Sequence, residues 1–154
     1  MKTVIIYDSL YGNTERIARA IGEAIPGEVQ VLRVGQVDVS ELKTVDLLFV
    51  GSPTQGGKAT QAIQDFLGQG QVFSLEGTKV AAFDTRLTAK WVRIFGYAAE
   101  KIAASVKANG GTLLGPPGGF CVKGRKGPLA EGEVERAAGW AKEIVKSSGL
   151  DSSN

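Results

Sequence analysis

The sequence predicts a three-layer α/β sandwich, a five-stranded parallel sheet with helices on both faces. Three observations predict it. Short continuous apolar runs alternate with segments whose apolar residues return every third or fourth position, the pattern of buried strands followed by amphipathic helices. The apolar runs empty into polar, glycine-bearing loops. With 154 residues and 43% apolar content, the chain is long enough for one full core and too short for two.

The elements follow in order. Val4, Ile5 and Ile6 form the first strand, and from Thr14 onward Ile17, Ile21 and Ile25, with Ala18, Ala20 and Ala24, mark one apolar face of a helix. Between them lies Asp8-Ser9-Leu10-Tyr11-Gly12-Asn13-Thr14. A loop ending at a helix N-terminus offers free N–H groups and the positive end of the helix dipole, and Ser9, Asn13 and Thr14 add donors while Gly12 adds backbone freedom. This is a phosphate-binding layout; the residues alone also fit an ordinary turn capped by Asn13 or Thr14.

Pro26-Gly27 ends the helix, and Glu28 to Val34 alternates as an edge strand. Val45 to Gly51 is a central strand opening into Ser52-Pro53-Thr54-Gln55-Gly56-Gly57, and Ala62, Ile63, Phe66 and Leu67 give a short helix. Lys79 to Phe83 is the fourth strand, with a third loop from Asp84 to Arg93. Phe95, Ala99, Ile102 and Val106 mark a long helix stopped at Asn109-Gly110-Gly111. The fifth strand reads Thr112 to Leu114, breaks at Gly115-Pro116-Pro117-Gly118-Gly119, and resumes at Phe120 to Val122. Val134, Ala137, Ala138, Ala141, Ile144 and Val145 form the last helix, so residues 1–146 are expected as one domain and 147–154 as a tail.

Ligands in such sheets bind beyond the carboxyl ends of the strands. The loops beginning at Asp8, Gly51 and Asp84 all leave carboxyl ends and should meet at one rim. The rest of the composition excludes several chemistries. Without any histidine and with a single cysteine, Cys121, the chain holds no His-based triad, no zinc-type cluster and no internal disulfide. A net charge of +2 names neither nucleic acid nor membrane as partner, and no apolar run is long enough to span a bilayer, so a cytoplasmic protein, monomeric or weakly dimeric, is expected.

Ser9, Gly12, Asn13 and Thr14 match the T/S-x-T-G-N-T phosphate loop of flavodoxins, and Gly51-Ser-Pro-Thr-x-x-Gly57 matches their second loop. From Lys2 to about Val145 the chain resembles a short-chain flavodoxin. The resemblance implies the flavodoxin-like sheet order 2-1-3-4-5 and non-covalent FMN. Its phosphate would sit on Ser9, Leu10, Tyr11, Gly12, Asn13 and Thr14, and its ring between loops two and three.

Departures accompany it. Tyr11 replaces a Ser/Thr, and Gln55 replaces the Trp that commonly covers the inner flavin face, while Pro53, Thr54, Gly56 and Gly57 keep the loop's outline. The third loop lacks Gly-x-Gly-Asp, yet Trp91 falls where flavodoxins place the Tyr that stacks on the outer face. Trp91 can equally be a packing aromatic beside Phe95. The backbone of Asp84, Thr85 and Arg86 is expected to hydrogen-bond the pyrimidine edge.

Flavodoxins are usually strongly acidic, whereas here the pI is about 8.7. Lys58, Arg86, Lys90, Arg93, Lys123, Arg125 and Lys126 fall in or beside the rim loops against Asp8 and Asp84. A positive rim would suit an acidic redox partner or an anionic small molecule such as NAD(P)H; the same charges can also be merely solvated. Three functions remain: an FMN electron carrier, an FMN-dependent NAD(P)H or quinone oxidoreductase, and a flavin-free binding domain. A phosphoacceptor receiver lacks its acidic pair, since Tyr7-Asp8-Ser9 supplies one acid and Gly51-Ser52-Pro53 none.

Overall fold

The computed structural model describes residues 1–68, 74–87 and 96–150. Strands are β1 (Lys2–Tyr7), β2 (Glu28–Arg33), β3 (Leu47–Pro53), β4 (Lys79–Arg86), β5 (Thr112–Leu113) and β6 (Gly118–Cys121). Helices are α1 (Asn13–Ala24), α2 (Gln61–Leu67), α3 (Ala98–Ala108) and α4 (Glu133–Ser148), with two 3₁₀ turns at Val34–Gln36 and Val39–Thr44. The sheet is parallel in the order β2-β1-β3-β4-β5, the order expected.

Alternation along each strand divides the core into two layers. Val4 and Ile6 of β1 and Leu48 and Val50 of β3 pack with Ile63, Phe66, Ile102 and Val106 beneath α2 and α3. Ile5 and Tyr7, with Leu47 and Phe49, pack with Ile17, Ile21, Ala137, Ala141 and Ile144 beneath α1 and α4. Both faces of β1, β3 and β4 are therefore buried, which is why their sequences read as continuous apolar runs.

Three boundaries differ from the sequence reading. Strand β4 continues through Asp84, Thr85 and Arg86, so the third loop begins at Leu87 rather than at Asp84. Polar side chains concealed this extension, because pairing on both sides, with β3 and with β6, fixes it. The fifth strand is broken as expected, but its second piece resumes at Gly118 rather than Phe120: Thr112 pairs with Lys79 and Gly118 with Phe83, so this edge advances six residues while β4 advances four. Finally, α4 includes Ser147 and Ser148, which had been assigned to a tail; Ser148 is buried and its carbonyl accepts from Lys79 Nζ.

The glycines of β6 are there for close approach. A Cβ on Gly118 would lie 2.8 Å from the Trp140 ring, and one on Gly119 would lie 2.4 Å from the Arg86 guanidinium carbon. Trp140 in turn stands edge-on to Phe49, Phe83 and Phe120, at centroid distances of 5.6, 6.2 and 5.8 Å. Gly51 meets the same demand inside β3, where a Cβ would come within 2.1 Å of the Phe83 ring. Overpacking of this kind costs about 1–3 kcal/mol, so Gly51→Ala should lower the urea-unfolding free energy by that amount; a change within about 0.5 kcal/mol would contradict the tight packing.

Candidate functional site

Loop one turns from β1 into α1 around the Ser9 hydroxyl. Ser9 Oγ accepts from Gly12 N at 3.1 Å and Glu15 N at 3.4 Å, which leaves its own proton to donate. The N–H groups of Leu10, Tyr11, Asn13 and Thr14 make no hydrogen bond among the described residues. Two of these open the first turn of α1, where no intrahelical acceptor exists. The loop is braced from outside by Arg33 at the end of β2, which donates to Ser9 O at 3.0 Å and Asp8 Oδ1 at 3.3 Å. Beneath it, Thr14 Oγ1 and Thr85 Oγ1 are 2.8 Å apart.

Loop two is a tight turn. Gln55 N donates to Lys58 O at 2.8 Å and Lys58 N to Gln55 O at 3.0 Å, and the turn needs positive φ at Gly56 (54°) and Gly57 (79°). Its entry is tied to α3: Ala98 N, at the start of that helix, donates to Thr54 Oγ1 at 3.0 Å. The next N–H, Ala99, donates to Asp84 Oδ2 at 2.9 Å. Two side chains from other elements thus cap α3, whose own N-cap residue, Tyr97, makes no capping bond.

Asp84 is fully buried and also receives Arg86 as a fork, Nε to Oδ1 at 2.7 Å and Nη2 to Oδ2 at 2.8 Å. The guanidinium lies 3.7 Å from the centroid of the Tyr97 ring. Burial alone would favour the neutral form of Arg86, but the Asp84 carboxylate overrides it and holds the side chain above its ordinary pKa.

A fourth segment, between β6 and α4, reaches the same rim. Val122 and Leu129 pair antiparallel, Lys123 N donates to Pro128 O and Gly127 N to Gly124 O, both at 2.9 Å. The base of β6 is fixed by Glu133, which accepts from Cys121 N at 2.6 Å; its Arg136 partner holds its carboxyl below the usual range.

These segments enclose a cleft of about 300 Å³. Its walls are Ser9, Leu10, Tyr11, Asn13 and Thr14 from loop one, and Pro53 to Gly57 from loop two. Thr85, Arg86 and Leu87 line it at the end of β4, with Val122 and Arg125 from the segment after β6. No carboxylate lines it among the described residues, and Leu10 and Tyr11, 48% and 45% exposed, are the large apolar side chains left open to solvent there.

The family model for the flavodoxin domain matches residues 4–128. The chain belongs to the flavodoxin family. A flavodoxin of Clostridium saccharobutylicum is 32% identical over 89 residues, a match that spans 55% of this chain and about half, 56%, of that relative. Oxidised flavodoxin 2 of Bacillus cereus superposes with a TM-score of 0.81 at 27% identity, covering 95% of this chain and 99% of that one. A flavodoxin from the domain Archaea gives 0.81 at 25% identity, covering 96% and 99%. Membership implies a flavin cofactor. No described helix is long and apolar enough to cross a membrane.

Measured against this flavodoxin frame, twelve of the expected site residues line the cleft, namely Ser9, Leu10, Tyr11, Asn13, Thr14, Pro53, Thr54, Gln55, Gly56, Gly57, Thr85 and Arg86. Gly12 does not; it is the residue capping α1. Asp84 does not either, because its carboxylate is consumed by Arg86 and α3. The backbone expected to meet a pyrimidine edge is ladder instead: Thr85 O accepts from Thr54 N at 2.8 Å and Arg86 O from Val122 N at 2.9 Å. Trp91, Lys90 and Arg93 lie outside the described residues.

The rim charges expected from the sequence are divided. Asp84 neutralises Arg86, Arg33 pairs with Asp8, and Lys58 lines a separate groove with Lys101 between α2 and α3. Leu87, Val122 and the bracing Arg33 and Tyr97 were not expected, whereas Arg125, expected beside the rim, does line the cleft. Removing one partner of a buried ion pair costs about 3–5 kcal/mol. Asp84→Ala should therefore lose stability on that scale in denaturant, and a loss below about 1 kcal/mol would contradict its capping and pairing roles.

Proposed function

We propose that this protein is an FMN-binding electron carrier. One observation carries the reading: loop one brings to the cleft four N–H groups with no partner among the described residues and the Ser9 hydroxyl, and no carboxylate lines that cleft among the described residues. That donor set suits a phosphate monoester, whose doubly charged oxygens accept hydrogen bonds without needing a proton from the protein. Loop two, Thr85 to Leu87 and Val122 line the rest of the cleft, where a flat ring would lie. The flavin, when bound, supplies exchange of one or two electrons; the chain's own residues bind, orient and screen it. With no histidine in the chain, proton handling by imidazole has no part.

A second reading, an FMN-dependent NAD(P)H or quinone oxidoreductase, is favoured by Gln55. Its side chain and the two glycines beside it leave the loop-two wall without an aromatic ring, so a second planar reactant would meet less cover. The partner is then an anionic small molecule rather than a protein with an acidic contact surface. A cytoplasmic location suits either reading.

Visible spectra and gel filtration of the purified protein with added FMN test the proposal. The expected result is flavin bands near ~375 and ~450 nm co-eluting at about one flavin per chain, with reduction by chemical reductant and no turnover of NAD(P)H. A protein that releases all flavin contradicts both readings. Sustained NAD(P)H oxidation contradicts the carrier and selects the enzyme.

A further inference from the structure

We propose that Arg125, at the tip of the turn between β6 and α4, is a phosphate-binding residue that supplies the formal positive charge loop one lacks. The inference rests on the flavin reading above and adds a residue to that site. Among the described residues two arginines line the cleft, and they are not equivalent. Arg86 is forked onto buried Asp84, so its charge is already compensated. Arg125 has no ion pair or hydrogen bond among the described residues, and it is exposed at the cleft wall.

The turn that carries Arg125 is fastened to the phosphate loop itself. Asn13 Nδ2 donates to Lys126 O at 3.3 Å, and Gly127 packs so closely on the Asn13 amide that a Cβ there would lie 2.7 Å from it. The antiparallel Val122–Leu129 bridge and the buried Leu129 side chain hold the base of the turn. The tip is therefore fixed beside the N-terminus of α1, with Arg125 lining the cavity that Ser9, Asn13 and Thr14 also line. Backbone N–H groups and the helix dipole contribute only partial charges to a phosphate dianion, about half a unit for the dipole. A guanidinium adds a whole charge and a planar fork that matches two phosphate oxygens.

The test compares FMN with riboflavin, which differs only in lacking the phosphate, on the parent protein stripped of flavin and on Arg125→Gln, Arg125→Lys and Lys123→Gln. Lys123 removes the same charge from the same turn without lining the cleft. Arg125→Gln should weaken FMN at least about tenfold, leave riboflavin within about twofold and flatten the salt dependence of FMN binding. Lys123→Gln should leave both flavins within about twofold, and Arg125→Lys should recover part of the loss. Unchanged FMN affinity in Arg125→Gln, or equal weakening of both flavins, overturns the assignment. Should the parent bind neither flavin, the function proposed above fails, and inorganic phosphate becomes the probe. Thermal stabilisation by phosphate that disappears in Arg125→Gln then upholds Arg125 as an anion site, and its absence in the parent overturns both.

Discussion

The bonds of one buried carboxylate hold the cleft's walls in place. Asp84 sits near the carboxyl end of β4 with no exposure to water, and such a group persists only when its charge is answered. Arg86 answers with two bonds and the start of α3 with a third. Through Ala98, the same helix end also holds Thr54 and hence the entry to loop two. Removing the carboxylate would therefore disturb β4, α3 and loop two together.

Set against this satisfied cluster, loop one is conspicuous for what it leaves open. Its side chains are bonded inward, Ser9 to its own loop, Thr14 to Thr85 and Asn13 to Lys126, and Arg33 clamps it from the edge strand. The loop is thus rigid while its N–H groups stay unpaired. A binding site organised this way loses little entropy when an anion arrives, because the loop that carries the donors is already held. Charge follows the same division: Asp8 and Asp84 are matched to Arg33 and Arg86, and among the described residues the cleft presents no acid of its own.

Much of the fold could be read from apolar periodicity, because β1, β3 and β4 are covered on both faces and each helix buries one stripe. Loop one was legible for a local reason: strand, polar turn and helix succeed one another within a few residues, so its chemistry needs no distant partner. What escaped the sequence depends on such partners. Asp84, Thr85 and Arg86 read as loop because they are polar, although Asp84 and Arg86, two apart on a strand, share a face and pair there. The glycines of β6 read as a break, and only Trp140 and Arg86 pressing from elsewhere in the chain explain them. Arg125 was placed near the rim, but the bond that fastens its turn to Asn13, more than a hundred residues earlier, is one no local pattern announces.

The most direct measurement is a two-dimensional amide NMR titration of the flavin-free protein with FMN and, separately, riboflavin. Phosphate oxygens accepting from loop one predict that the amides of Leu10, Tyr11, Asn13 and Thr14 shift strongly downfield with FMN and far less with riboflavin. Tight FMN binding that leaves those four amides unmoved, or moves them equally with both flavins, would contradict the assignment of loop one as the phosphate cradle.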